Sequence, residues 1–292
     1  MRSIISVTSI ALALWFFMPS LAYSKTSVWA ISKNGNTLYL GGTVHMLTSD
    51  DYPLPKGFEA AYQNSQSVVL EADVSAASNT DFQTKSLNVM TFDDHRSLST
   101  VLDRRTYDAF SDVLASRSIP ISVFEKFTPA GATLALSAIE MQRMGMVESL
   151  GVDNHFLKRA ISDHKVAYFL ETVDEQLGFI GAMNSLNPNK LVQSSIKELN
   201  NFEAQMSLMI SAWRAGELGR LEETGITEMQ RDFPSMYQVM LVQRNNAWLQ
   251  RFSAFIETPE VEFILVGALH MAGEHGLIAQ LKSSGYAIEQ VD

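Results

Sequence analysis

Val261-Glu-Phe-Ile-Leu-Val-Gly-Ala-Leu-His270-Met-Ala-Gly-Glu-His-Gly-Leu-Ile278 is the stretch that decides the fold. Phe263 to Val266 is an unbroken apolar run with β-branched members, the pattern of a strand covered on both faces. It meets Gly267, and three residues later His270 stands where the strand should end. Ala272 and Gly273 make a small-residue loop. Leu277, Ile278 and Leu281 then recur at helical spacing, and Gly285 closes that helix as its C′ residue. Tyr286 to Val291 reads as a last strand. A second Gly-x-x-His lies near the start, in Tyr39-Leu-Gly-Gly42-Thr-Val-His45. Two apolar strands, each turning at Gly and ending in His, point to one shared site.

Working outward, Ser27–Ile31 and Asn36–His45 read as a hairpin around Asn34-Gly35. Pro55 opens a helix with Phe58, Ala61, Tyr62 and Ser65 on one face. Ser67–Val74 is a strand in which Val69, Glu71 and Asp73 share one side. From about Leu98 to Phe255 the pattern is mostly helical. Tyr107, Phe110 and Leu114 mark one helix; Thr128-Pro129 opens another through Met144; Gly151 starts a third, with Asp153 or Asn154 in its first turn. Lys165–Leu170 is a strand before Glu171, and Thr172-x-x-Glu175 is a capping box. Leu191–Trp213 reads as one long helix, and the Met-rich helices read as core, since Met fills irregular gaps. The resulting fold class is α/β: a central mixed, largely parallel sheet with flanking helices and a large helical insertion, in a single domain over residues 25–292.

In the helix Met236–Phe255, Arg244 and Asn245 fall into the apolar stripe of Tyr237, Met240, Leu241, Trp248 and Phe252. A guanidinium there needs a carboxylate, phosphate or carbonyl partner.

Arg2, the apolar run Ile4–Met18 and Ala22-Tyr-Ser24 read as a signal peptide cleaved after Ser24. The expectation is a periplasmic or secreted protein that has no membrane anchor once processed. Removing Arg2 with the leader leaves 21 basic and 32 acidic residues, a net charge of −11. Such acidity disfavours nucleic acid and anionic membranes as partners. With no Cys there are no disulfides, metal thiolates or Cys nucleophile.

His45, Glu71 and His270 each lie near the C-terminal end of an apolar strand, where open α/β sheets place ligands. Two imidazoles and a carboxylate form a common set for a first-row metal with open positions, zinc or iron among them. The bland alternative leaves both histidines bonded to backbone carbonyls and Glu71 paired with Arg244. His-Glu-x-x-His, Gly-x-Ser-x-Gly, P-loop and Gly-x-Gly-x-x-Gly patterns are absent.

Several motifs follow one another in order: Gly-Gly-Thr-Val-His-Met with Tyr-Pro-Leu-Pro, Val-Val-Leu-Glu-Ala-Asp, Leu-Glu-Thr-Val-Asp-Glu-Gln, Arg-Asn-Asn-Ala-Trp and Val-Gly-Ala-Leu-His-Met-Ala-Gly-Glu-His-Gly-Leu. In this the chain closely resembles the TraB/GumN family, in the wider group with Tiki, erythromycin esterase-like and ChaN-like proteins. The resemblance implies a site built from the two Gly-x-x-His motifs and an acid. It also implies metal-dependent proteolysis of the Tiki type, favouring manganese or cobalt. Carried over by position, His45, Glu71 and His270 are the metal set, and Glu71, Arg244 and Asn245 the catalytic set. Arg244 would orient Glu71 or stabilise an oxyanion, with Asn245 donating to the same oxygen. Where the family shows Gly-Glu-Asp-Gly, this chain has His275, a further ligand, a proton shuttle or an exposed first-turn residue. Glu171 is a secondary candidate, with helix-terminus electrostatics as its bland role. A peptide or small-molecule substrate is expected. The competing class is a periplasmic protein that binds iron, haem or peptide without turnover.

Overall fold

The computed structural model of the chain describes residues 25–73, 75 and 79–292. The signal-peptide segment and Val74, placed above in a strand, lie outside the described residues. Six strands make one mixed sheet: β1 (Val28–Lys33), β2 (Asn36–Thr43), β3 (Ser67–Leu70), β4 (Val166–Phe169), β5 (Glu262–Gly267) and β6 (Ala287–Gln290). Their order across the sheet is β4-β3-β5-β2-β1-β6. Strands β4, β3, β5 and β2 run parallel, while β1 is antiparallel to both β2 and β6. The hairpin turns through Asn34 and Gly35, with φ of 54° and 89°. This left-handed pair is what an Asn-Gly turn supplies.

Strand β5 sits between β2 and β3, and its apolar run is buried throughout. Alternation sends Phe263 and Leu265 to one face and Ile264 and Val266 to the other. The first pair joins a core with Phe58, Tyr62, Phe156 and Trp213. The second joins Trp29, Trp248, Phe252, Leu277 and Leu281. Helices therefore cover both faces, as a parallel sheet requires. A third cluster, around Leu98, Phe110, Phe124 and Leu136, is built within the helical middle.

Most of the expected helices form, including Lys56–Gln63 after Pro55 and Pro129–Arg143 behind Thr128, whose side chain accepts from Gly131 N–H. Thr172 and Glu175 form the capping box. The expected long helix Leu191–Trp213 is instead two, Pro188–Leu199 and Phe202–Ala215. The break falls at Asn200-Asn201, where Asn201 leaves helical geometry (φ −129°, ψ 20°) and takes the N-cap position of the second helix without a side-chain cap bond. Asn has a low helix propensity, so two in succession weaken the helix at that point. Trp213 still anchors the second helix to the sheet, its indole N–H donating 2.7 Å to Gly42 O. No helix among the described residues is long and apolar enough to cross a membrane.

Candidate active site

The site forms at the C-terminal ends of β2, β3, β4 and β5. Glu71 and Glu171 each follow their strand by one or two residues, and Glu171 N–H donates to Glu71 O. The two carboxylates reach Arg244 from the helix Gln243–Ile256. A π-helical turn over Gln238–Val242 precedes that helix. Such a turn rotates the residues after it, and single π turns recur at functional sites. Here Arg244, Asn245, Trp248 and Phe252 all face inward and are buried.

The guanidinium makes five hydrogen bonds to four residues. One Nη reaches Glu71 Oε2 at 2.5 Å and Glu171 Oε2 at 2.9 Å, while Nε reaches Glu171 Oε1 at 2.8 Å. The other Nη meets His270 Nε2 at 3.1 Å and Met240 O at 3.4 Å. Its Cζ lies 4.8 Å from the centroid of the Trp248 ring, and Trp248 Nε1 donates to Glu171 Oε1 at 3.0 Å. The bidentate fork is the geometry in which Arg holds carboxylates best. Glu71 Oε1 also accepts from Gly267 N–H at 2.6 Å.

Protonation states follow from these partners. Asn245 donates its amide to the carbonyls of His270 (3.1 Å) and His275 (2.9 Å), so its Oδ1, 2.7 Å from His270 Nδ1, is the acceptor there. The imidazole thus keeps its proton on Nδ1 and offers Nε2 to Arg244. Burial lowers the His270 pKa to about 3, with Arg244 acting in the same direction, so the ring is neutral. Burial alone would raise Glu71. Arg244 and His45, with the Gly267 N–H, reverse this and hold the carboxyl well below its ordinary range. Glu171 remains raised by burial in spite of its bonds to Arg244.

His45 stands at the rim, its side chain 60% exposed. Its Nδ1 lies 2.8 Å from Asp153 Oδ2, and Thr43 Oγ1 donates to the other oxygen of that carboxylate at 3.0 Å. Asp153 is the main cause raising the His45 pKa. The free Nε2 faces the space over Gly267. A Cβ built on Gly267 would lie 3.3 Å from Glu71 Oε1, 3.6 Å from His270 Cδ2 and 3.8 Å from His45 Nε2. Glycine keeps that meeting point open, whereas sequence reading gave it the task of bending the chain. Its φ is an ordinary −50°.

The structure brings together His45, Glu71, Arg244, Asn245 and His270 with the secondary candidate Glu171, and adds Asp153. Asn245 positions His270 rather than donating to an oxygen shared with Arg244, because both of its amide bonds go to backbone carbonyls. Glu171 is the second carboxylate of the cluster. Asp153, read above as a first-turn residue, is buried with Val152, Phe156 and Leu157 on one helical face. The argument applied to Arg244, a charge in an apolar stripe, would have found it. His275 lies apart: its Nε2 is 3.2 Å from Glu274, and its carbonyl is the part the site uses.

As arranged, the three expected metal ligands do not fit one ion. Arg244 occupies both Glu71 Oε2 and His270 Nε2 with a charge that cannot be titrated away. Among the described residues no group of three His, Cys, Asp or Glu side chains has metal-holding geometry.

The sequence profile of the TraB/PrgY/gumN family matches residues 27–290. The uncharacterized protein YbaP of Escherichia coli (strain K12) is 24% identical over 92% of this chain and 97% of its own length. The Shigella flexneri protein of the same name matches to the same extent. No solved structure matches.

Proposed function

We propose that this chain, which belongs to the TraB/PrgY/gumN family, is an exported hydrolase of peptide or ester bonds. One observation carries the reading. Asp153 holds His45 by Nδ1, while His45 Nε2 faces an open point that Glu71 and His270 also border. An acid that fixes one imidazole nitrogen leaves the other to move protons.

With Nδ1–H donated to Asp153, neutral His45 takes a proton from water at Nε2 as the water oxygen bonds to the substrate carbonyl carbon. The imidazolium then returns that proton to the departing nitrogen or oxygen as the C–N or C–O bond breaks. Asp153 and the ionised Glu71 stabilise the imidazolium in between. Arg244 keeps Glu71 ionised and in place, and neutral His270 borders the carbonyl position. Turnover is expected to rise with pH as His45 loses its proton, above the ordinary histidine range, because Asp153 raises that pKa.

A second reading is the metal-dependent peptidase of Tiki type. What supports it is the convergence of His45, Glu71 and His270 around Gly267. Those residues would hold manganese or cobalt, with zinc or iron as alternatives, only if Arg244 released His270 Nε2. Such an ion would supply Lewis-acid chemistry.

The test is hydrolysis of a peptide and ester panel with EDTA, manganese or cobalt, by wild type, His45→Asn and Glu71→Gln. EDTA-resistant turnover lost on His45→Asn supports the first reading; turnover that appears only with metal supports the second. No turnover under any condition, with ligand retained, assigns the chain to binding without catalysis.

A further inference from the structure

The helices read from sequence as Met-rich core leave several methionines half-buried, and these face a cleft. Half-buried Met206, Met209, Met229 and Met236, with the buried Met183, line a cleft of about 570 Å³ together with Leu269, the residue before His270. That volume is in the range of ligand sites. Unbranched, polarizable methionines let one surface repack around varied apolar side chains.

The cleft also adjoins the buried cluster. A smaller cavity of about 50 Å³ shares the walls Met183 and Met236 and continues to Phe179 and Met240. The Arg244 guanidinium lies 5.2 Å from the Phe179 ring and bonds to Met240 O.

Its polar lining selects among apolar ligands. Ser194, Asn201 and Gln205 offer the paired donors and acceptors that a peptide backbone needs. Of Glu198, Glu223 and Glu228, the last is bonded to Lys197 at 3.0 Å and lies 3.4 Å from Arg231, while among the ion pairs of the described residues none involves Glu198 or Glu223. The surplus of two carboxylates repels an anionic chain, such as a fatty acid, and attracts a cation.

We propose that this cleft binds an extended, apolar polypeptide segment carrying a lysine or arginine, and presents a neighbouring bond to His45. The inference rests on the hydrolytic reading for the presentation step, while binding itself does not. Methionines grip the apolar side chains, the amide and hydroxyl groups pair with the segment's backbone, and Glu198 and Glu223 meet its cation.

The test is fluorescence anisotropy with two labelled octapeptides of alternating Leu and Met, one bearing two Lys and the other two Glu, and with labelled dodecanoate. Wild type and Glu71→Gln are both measured, so that binding is read without turnover. The Lys peptide is expected to bind roughly tenfold tighter than the Glu peptide. The Glu198→Lys/Glu223→Lys double substitution should erase that preference, and Met206→Glu should weaken both peptides. Equal binding of the two peptides, tighter binding of dodecanoate, or no binding by any probe overturns the proposal. The two readings fail separately. Cleavage of a short ester, too small to reach the cleft, reports on the His45 site alone; anisotropy in Glu71→Gln reports on the cleft alone.

Discussion

Strands β3 and β5 each have one buried glutamate at or just beyond an end, and the two behave oppositely. Glu71, past the C-terminal end of β3, has a guanidinium on one oxygen and a backbone N–H on the other, and its pKa falls well below the ordinary range. Glu262, at the N-terminal end of β5, is paired in register with Ser67. Glu262 Oε2 and Ser67 Oγ are both buried without a hydrogen-bond partner, and burial pushes Glu262 up to about 7, with Glu260 adding to it. Both residues are removed from water. Partners, not depth, set the charge state.

The hardest way to break this contrast is Arg244→Ala. It leaves Glu71 and Glu171 buried without their cation, and breaking a buried pair from one side costs about 3–5 kcal/mol. Urea unfolding at pH 7 should show that loss, and a loss below 1 kcal/mol would mean the pairing matters little.

Next is the Glu262→Gln substitution, where the sign reverses with pH. A folded pKa raised above the unfolded 4.5 gives stability that is full below that value and lost as pH climbs to about 7. Removing the charge should therefore stabilise the protein at pH 8, by roughly 2 kcal/mol, and change little at pH 4.5. Equal effects at the two pH values would show that Glu262 is not ionising in place.

His270 gives the opposite slope. Its folded pKa, about 3, lies below the unfolded 6.5, so the unfolded chain takes up a proton that the folded chain refuses. Wild-type stability should drop as pH falls from 6.5 towards 3. His270→Gln should flatten that acid limb in melts taken across the window.

The smallest effect belongs to Asp153→Asn. The His45 titration, followed by NMR of the imidazole, should move back towards 6.5, with little change in melting temperature because the ring is exposed. An unmoved titration would assign the raised value to Glu71 instead.

The sheet was legible because its chemistry is local. Phe263–Val266 announces a doubly covered strand by its side chains alone, and Asn34-Gly35 fixes its hairpin by backbone preference. The site was legible only where one residue broke a local pattern. Arg244 in an apolar stripe demanded a partner, and Glu71 at a strand end offered one. Asp153 obeyed a helix-terminus rule and so concealed its place beside His45, 108 residues away in sequence. Glu171, with a sufficient local role ahead of Thr172, was legible only as a secondary candidate. The break at Asn200-Asn201 lay inside an apolar periodicity that runs on across it, so spacing alone joined the two helices. The cleft methionines shared the pattern of core residues, and only the arrangement of helices leaves them half-covered.

The claim that reaction occurs over Gly267 is tested most directly by Gly267→Ala, assayed for cleavage and for thermal stability together. A methyl group there would stand 3.8 Å from His45 Nε2 and 3.3 Å from Glu71 Oε1, filling the space at the cost of moving that carboxylate oxygen by a few tenths of an ångström. Cleavage should fall at least a hundredfold while the melting temperature changes by only a few degrees, as for a loss near 1 kcal/mol. Full activity in a folded Gly267→Ala protein would place the chemistry elsewhere.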